Sequence, residues 1–159
     1  MAVEMFLKMP KISGESVVKG HEKEIDVLGW KWGVTNTAHI QQGGEHGGGK
    51  ANVQDLIITK YVDSASPSLF KYCCNATEET GDVVFTVRKQ AGEESIDYVK
   101  ITMTKVVVNS ISTGGKGEDD RLKEDVTLNF AKVKFEYQPK TAGKAGAVAE
   151  MEFDIAANA

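Results

Sequence analysis

The strongest pattern in this chain is a two-residue alternation of apolar and polar positions, the period of a strand with one buried face. Met151, Phe153 and Ile155 alternate with Glu150, Glu152 and Asp154. Val83, Phe85 and Val87 alternate with Asp82, Thr86 and Arg88, with Val84 interrupting the polar face. Ile25 and Val27 alternate with Glu24 and Asp26 and lead into Trp30 and Trp32. Two longer stretches change phase. Val126, Leu128 and Phe130 fall on even positions, whereas Val133, Phe135 and Tyr137 fall on odd ones. Val99, Ile101 and Met103 give way to Val106 and Val108 in the same manner. A strand cannot keep one face buried through such a slip without an extra residue, which predicts a bulge or sharp bend near Ala131–Lys132. Bent strands of this kind curl a sheet on itself, so the expected fold is mostly β, a barrel of two β-sheets.

One segment departs from the alternation. Ser66 suits an N-cap and Pro67 the first helical turn. Leu69, Tyr72, Cys73, Ala76 and Thr80 follow at helical spacing, and Gly81 is placed to close the helix. This predicts one α-helix flanking the barrel over about residues 67–80. Two glycine-rich stretches read as loops. Gln41, Gln42, Gly43, Gly44, Glu45, His46, Gly47, Gly48, Gly49 and Lys50 have almost no apolar content and are expected to form a long extended excursion. The second, Thr113 to Asp120, joins two long strands. Structureless loops of about ten or more residues are uncommon in compact domains unless they serve a function.

Composition narrows the class. With 159 residues, 41% hydrophobic and 26% charged, the chain reads as a single domain over residues 1–159. It carries 16 Gly against 3 Pro, an excess placed largely in the two loops. A net charge of −4 without a basic stretch argues against a nucleic-acid partner. An apolar run of about 18 residues is lacking, so membrane insertion is not expected. Met1 to Pro10 lacks the apolar stretch of a secretory signal, which implies synthesis in the cytoplasm and export, if any, by another route.

The search for chemistry finds decoys. Gly44 to Ala51 reads G-E-H-G-G-G-K-A, close to the phosphate-binding loop G-x-x-x-x-G-K-[ST], but Ala51 lacks the hydroxyl that holds Mg²⁺. Val53, Leu56, Ile57 and Ile58 then read as strand, so the helix N-terminus that cradles phosphate is missing. His39, Glu45 and His46 have metal-ligand chemistry but sit on a loop that does not fix their geometry. His21, beside Glu22, Lys23 and Glu24, reads as a polar residue leading into a strand. Cys73 and Cys74 are adjacent and poorly placed to bridge, and read as structural thiols. Catalytic residues, resident metal and cofactor are therefore all expected to be absent. Trp30 and Trp32 share one strand face, most simply as core anchors, with a stacking platform for sugars or bases as the sharper alternative. Lys31 then projects from the opposite face.

Several ordered runs resemble the haemolysin-coregulated protein (Hcp) family. They are Met5-Phe6-Leu7-Lys8, Gly14-Glu15-Ser16, His21, Glu24 to Leu28, Trp30-Lys31-Trp32-Gly33 and Val53-Gln54-Asp55-Leu56. Thr59 to Asp63, Ser110 to Gly115, Val126 to Ala131 and Tyr137-Gln138-Pro139 continue the likeness. The resemblance implies a tube protomer of the bacterial type VI secretion system, a structural protein rather than an enzyme. Its protomers form homo-hexameric rings that stack into a hollow tube. Implied partners are a spike protein of the VgrG type, contractile sheath proteins and small secreted effectors. The resemblance also implies that Gln41 through Lys50 contact neighbouring subunits or rings. It further implies that Lys31 faces the lumen, at a position where family members typically carry a small Ser. The competing readings are a small-molecule-binding β-barrel and, further off, an enzyme using the near phosphate loop.

Overall fold

A computed structural model describes residues 3–38, 49–91, 94–141 and 144–159. In chain order the elements are β1 (Val3–Lys8), β2 (Ile25–Val27), β3 (Gly29–Lys31), β4 (Val34–Asn36), β5 (Ala51–Val53) and β6 (Leu56–Tyr61). After α1 (Ser66–Asn75) come β7 (Val83–Ala91), β8 (Glu94–Thr104), β9 (Val107–Gly114), β10 (Lys123–Asn129) and β11 (Lys132–Tyr137). A short ribbon of β12 (Lys140–Thr141) and β13 (Lys144–Ala145) leads to β14 (Ala149–Asp154).

Two main sheets form. One has six strands in the order β14-β11-β8-β7-β1-β2, the other four in the order β3-β6-β10-β9, and β4 pairs with β5 separately. The pairing is antiparallel throughout. The fold is thus mostly β with one helix, as expected, but the sheets are not closed. Each ends in edge strands, so the arrangement is two packed sheets rather than a sealed barrel. Their facing apolar sides interdigitate: Leu7, Ile25, Phe85, Ile101 and Met103 from the larger sheet meet Leu56, Ile58, Val126 and Leu128 from the smaller.

The phase slips mark places where the chain passes from one sheet to the other. At Lys105, with φ 57°, it leaves β8 in the larger sheet and enters β9 in the smaller. At Phe130–Ala131 it returns from β10 to β11. Of the expected bulge or sharp bend near Ala131–Lys132, the structure shows the sharp bend, a corner between two strands. A third corner lies at Leu28, between β2 and β3, where the sequence pattern had suggested a single strand. The reason is common to all three: one residue is spent on the turn at each corner, so the core-facing positions shift between odd and even. True register shifts occur elsewhere, opposite Val87/Arg88 and Thr127/Leu128, leaving Tyr98 and Asn109 as the extra residues.

The helix is shorter than predicted. Its N-cap is Ala65, not Ser66, and Pro67 occupies the first turn as expected. It ends at Ala76, which takes the left-handed conformation (φ 48°) while the Thr77 N–H donates to the Tyr72 carbonyl. Gly81 plays no part in that closure. Beyond Ala76 the chain is captured by the sheet: Glu78 bridges Val107, and the Glu79 N–H donates to the Val106 carbonyl at 2.8 Å.

Ser66 has a different role. Lys60 and Glu124, opposite each other on β6 and β10, are fully buried on the inner face. The Lys60 ammonium donates to Glu124 (2.5 Å), Asp63 (2.9 Å) and the Ser66 hydroxyl (3.2 Å), which uses all three of its N–H groups. The pair thus fixes the start of α1 to the smaller sheet. The other Glu124 oxygen, Oε2, has no hydrogen-bond partner among the described residues. Removing the cation leaves a buried carboxylate unbalanced, so Lys60→Met should cost about 3–5 kcal/mol in denaturant unfolding. The double variant Lys60→Met/Glu124→Leu should recover most of that loss. A double variant no more stable than the single one would contradict this account.

Candidate functional site

The larger sheet is wider than the smaller one, and its β11–β14 end extends past the cover. Val133 pairs with Phe153 and Phe135 with Met151, placing these four side chains on the inner face. Trp32 reaches over from beyond β3, its ring stacked on Phe135 with centroids 5.9 Å apart and its indole N–H donating to the Gln54 carbonyl at 2.9 Å. The β4–β5 ribbon adds Val34 and Val53. Together they leave an open groove with apolar walls, lined by Trp32, Val34, Val53, Val133, Met151 and Phe153. Met151 is 46% exposed and Val34 57%. The alternation of Met151 and Phe153 with acidic neighbours is as expected from sequence, yet their shared face is only partly covered.

The opposite face of the same two strands is a ladder of charge. Lys132 pairs with Glu152 at 3.2 Å, and Lys134 lies 3.0 Å from Glu136 and 3.5 Å from Glu150. The hydrogen bond that Lys134 donates to Glu136, with the charge of Glu150, raises the Lys134 pKa. That face is stable in water. The groove face leaves Met151 and Val34 exposed beside half-buried Trp32, Val53 and Phe153, an apolar patch of the kind that can mark an interaction surface.

Lys31 sits where the strand period put it. It is exposed and lies opposite Ile57 on the outer face of the smaller sheet, while Trp30 lies opposite the buried Ile58. That outer face is polar: Thr59 donates to Asp125 at 2.6 Å, and Asp55 accepts from Asn109 (3.1 Å) and Asn129 (2.8 Å). The tryptophans divide the expected role. Trp32 packs against the core, whereas Trp30, tilted against Phe85 at 5.0 Å, keeps 38% of its surface exposed.

Of the glycine-rich excursion, Gln41, Gln42, Gly43, Gly44, Glu45, His46, Gly47 and Gly48 lie outside the described residues, as does His39. Its end is described: the Lys50 N–H donates to the Thr37 hydroxyl at 3.1 Å, and Ala51 begins β5. The stretch therefore connects two antiparallel strands, and the residue after the lysine opens a strand rather than a helix. Among the described residues there is no group of three His, Cys, Asp or Glu side chains able to hold a metal ion. Cys73 and Cys74 are free thiols, the first partly packed on the core and the second exposed. None of the helices described is long and apolar enough to cross a membrane.

The profile of the family described as "Type VI secretion system effector, Hcp" matches residues 6–137. The chain belongs to the Hcp family. It is 44% identical over 142 residues to Protein hcp1 of Pseudomonas aeruginosa, covering 89% of this chain and 87% of that protein. The fold is similar to a solved type six secretion system protein, with a TM-score of 0.90, 29% identity and 99% of both chains covered. It is also similar to Hcp1 from Salmonella typhimurium, with a TM-score of 0.79, 33% identity, and 100% and 99% coverage. The Hcp family is one of type VI secretion proteins rather than a known class of enzymes.

With a strand in place of the helix that a phosphate loop requires, Mg²⁺-ATP should leave the melting temperature unchanged at millimolar concentration. A ligand held by the folded state alone would raise it. Lys50→Ala should behave like the parent; a nucleotide-dependent rise that Lys50→Ala removes would revive the enzymatic reading.

Proposed function

We propose that this chain is the tube protomer of a bacterial type VI secretion system, acting by assembly into hexameric rings that stack into a hollow tube. The observation that carries the reading is the apolar groove at the β14 edge, in a chain of the Hcp family. Ring closure needs a head-to-tail contact between two different surfaces of identical subunits. An open apolar groove beside an edge strand supplies one such surface, and burying Met151 and Val34 against a neighbour removes their exposed area from water.

In this reading the polar outer face of the smaller sheet lines the lumen. Lys31 then contributes one cation per protomer to the wall that small secreted effectors meet. Gln41 through Lys50 extend from the β4–β5 ribbon to contact neighbouring subunits or rings. The tube acts with a VgrG-type spike and contractile sheath proteins, and it is made in the bacterial cytoplasm and expelled by that apparatus. The competing reading, a barrel enclosing a small ligand, has less support. The space between the sheets is filled by fully buried side chains such as Leu7, Phe85, Leu56 and Ile58.

Purified protein should elute with the mass of a hexamer in light scattering and show annular particles in negative stain. Met151→Asp, at a half-exposed position outside the packed core, should retain the parent circular dichroism and melting transition but shift the mass toward the monomer. A parent that stays monomeric across micromolar concentrations would refute ring assembly. A fully hexameric Met151→Asp would exclude the groove from the contact. Deleting Gly43–Gly49 should leave rings intact and reduce stacking into tubes by about tenfold or more, as one lost contact set per interface implies. Equal tube formation by the trimmed chain would assign the loop no role in stacking.

A further inference from the structure

The segment between β1 and β2 folds back over the outer face of the larger sheet, and one histidine holds it there. His21 is buried, its ring stacked on Phe6 with centroids 4.4 Å apart and planes within 5°. Phe6 faces away from the main core and is itself only 1% exposed, so the loop with its imidazole is what covers it. The loop is closely fitted. A Cβ on Gly14 would come within 2.4 Å of the Glu24 carbonyl oxygen, and Gly20 and Lys23 adopt positive φ of 90° and 63°.

Both ring nitrogens face carboxylates. Nδ1 lies 3.0 Å from each Glu24 oxygen, and Nε2 lies 3.0 and 3.1 Å from the two Asp97 oxygens. A neutral imidazole has one N–H and would set its other nitrogen's lone pair against a carboxylate. Only the imidazolium donates on both sides. We propose that His21 is a protonation-controlled clasp: the charged ring fastens the loop of residues 14–24 to β8 through Asp97, and loss of its proton loosens the loop from the sheet.

Carboxylates face the ring directly, whereas Arg88 is a cation that opposes its charge. Glu24 lies on the loop itself and Asp97 on β8. Arg88 on β7, in register with Asp97, donates to the Lys19 carbonyl at 2.9 Å, and Glu4 on β1 is in register with Arg88. Asp26 on β2 lies opposite Phe6, and Glu22 accepts from the Gly20 N–H. Burial of the ring opposes the charge, but the hydrogen bonds and charges of Glu24 and Asp97 outweigh it, raising the His21 pKa above the ordinary 6.5. The sign follows: the clasp's contribution is complete below the ordinary histidine value and is lost as pH rises through the elevated folded one.

The test is NMR on the full chain in its native assembly state, from about pH 5.5 to about pH 8.5, the range in which histidine titrates. The His21 signal, identified by its loss in His21→Gln, should titrate above 6.5, and Asp97→Asn should lower that midpoint. The Gly14, Ser16 and Lys23 amides, bonded to Lys23, Glu24 and Ser16 carbonyls, report loop closure. Corrected for intrinsic exchange, their protection should fall about tenfold across the same midpoint, as when one hydrogen bond to a charged group is lost. His21→Gln should show the low level at every pH. A midpoint at or below 6.5, loop protection that ignores it, or full protection in His21→Gln would overturn the clasp.

Discussion

One geometric constraint organises this molecule: the chain repeatedly passes between two sheets that share a single apolar core. At each of three crossings one residue is spent on the corner, so the inward-facing positions change parity. Leu28, Lys105 and Ala131 absorb the three inversions. Everything central follows from them. They place Trp30 and Trp32 on the inner side, send Lys31 outward, and bring β11 and β14 to the end of the larger sheet where the smaller one no longer covers them.

That overhang explains why one pair of strands has two such different faces. The side turned to solvent is a ladder of lysine and glutamate, each pair worth little because it is exposed. The side turned inward has Phe135, Met151 and Phe153, which lie beyond the smaller sheet and are met by Trp32 and the β4–β5 ribbon. Under the proposed ring assembly, the next copy would cover that surface. Where stability within the chain matters, the polar groups are instead sequestered: Lys60 and Glu124 lie fully inside, holding the start of α1.

Strand periodicity made most of the β-structure legible, including the existence of the two late sheet changes. It did not distinguish a bulge from a corner, because both produce the same one-residue slip. The end of the helix was misjudged because Gly81 is the obvious residue for a left-handed turn. The backbone pairing of Glu78 and Glu79 with the start of β9 drew the chain away earlier, and Ala76 accepted the conformation. His21 looked like surface punctuation among charged neighbours. Its burial depends on Asp97, 76 residues away, which local sequence does not reveal. The Lys60–Glu124 pair was hidden for the same reason, each residue being an ordinary charge until the two strands are set side by side.

The sequence by itself determined the strand-rich class, the single helix, the outward direction of Lys31, the improbability of a phosphate loop at Lys50 and the resemblance to the Hcp family. These rest on local periods and on residue types at short spacing, which act before distant segments meet. Only the tertiary structure decided that the two sheets stay open, that the phase slips are crossings between them, and that Met151 and Val34 border an uncovered groove. It also decided that His21 is gripped from both sides. Those properties arise from which strands overlap in space, and a period of two says which face a side chain takes without saying what lies across from it.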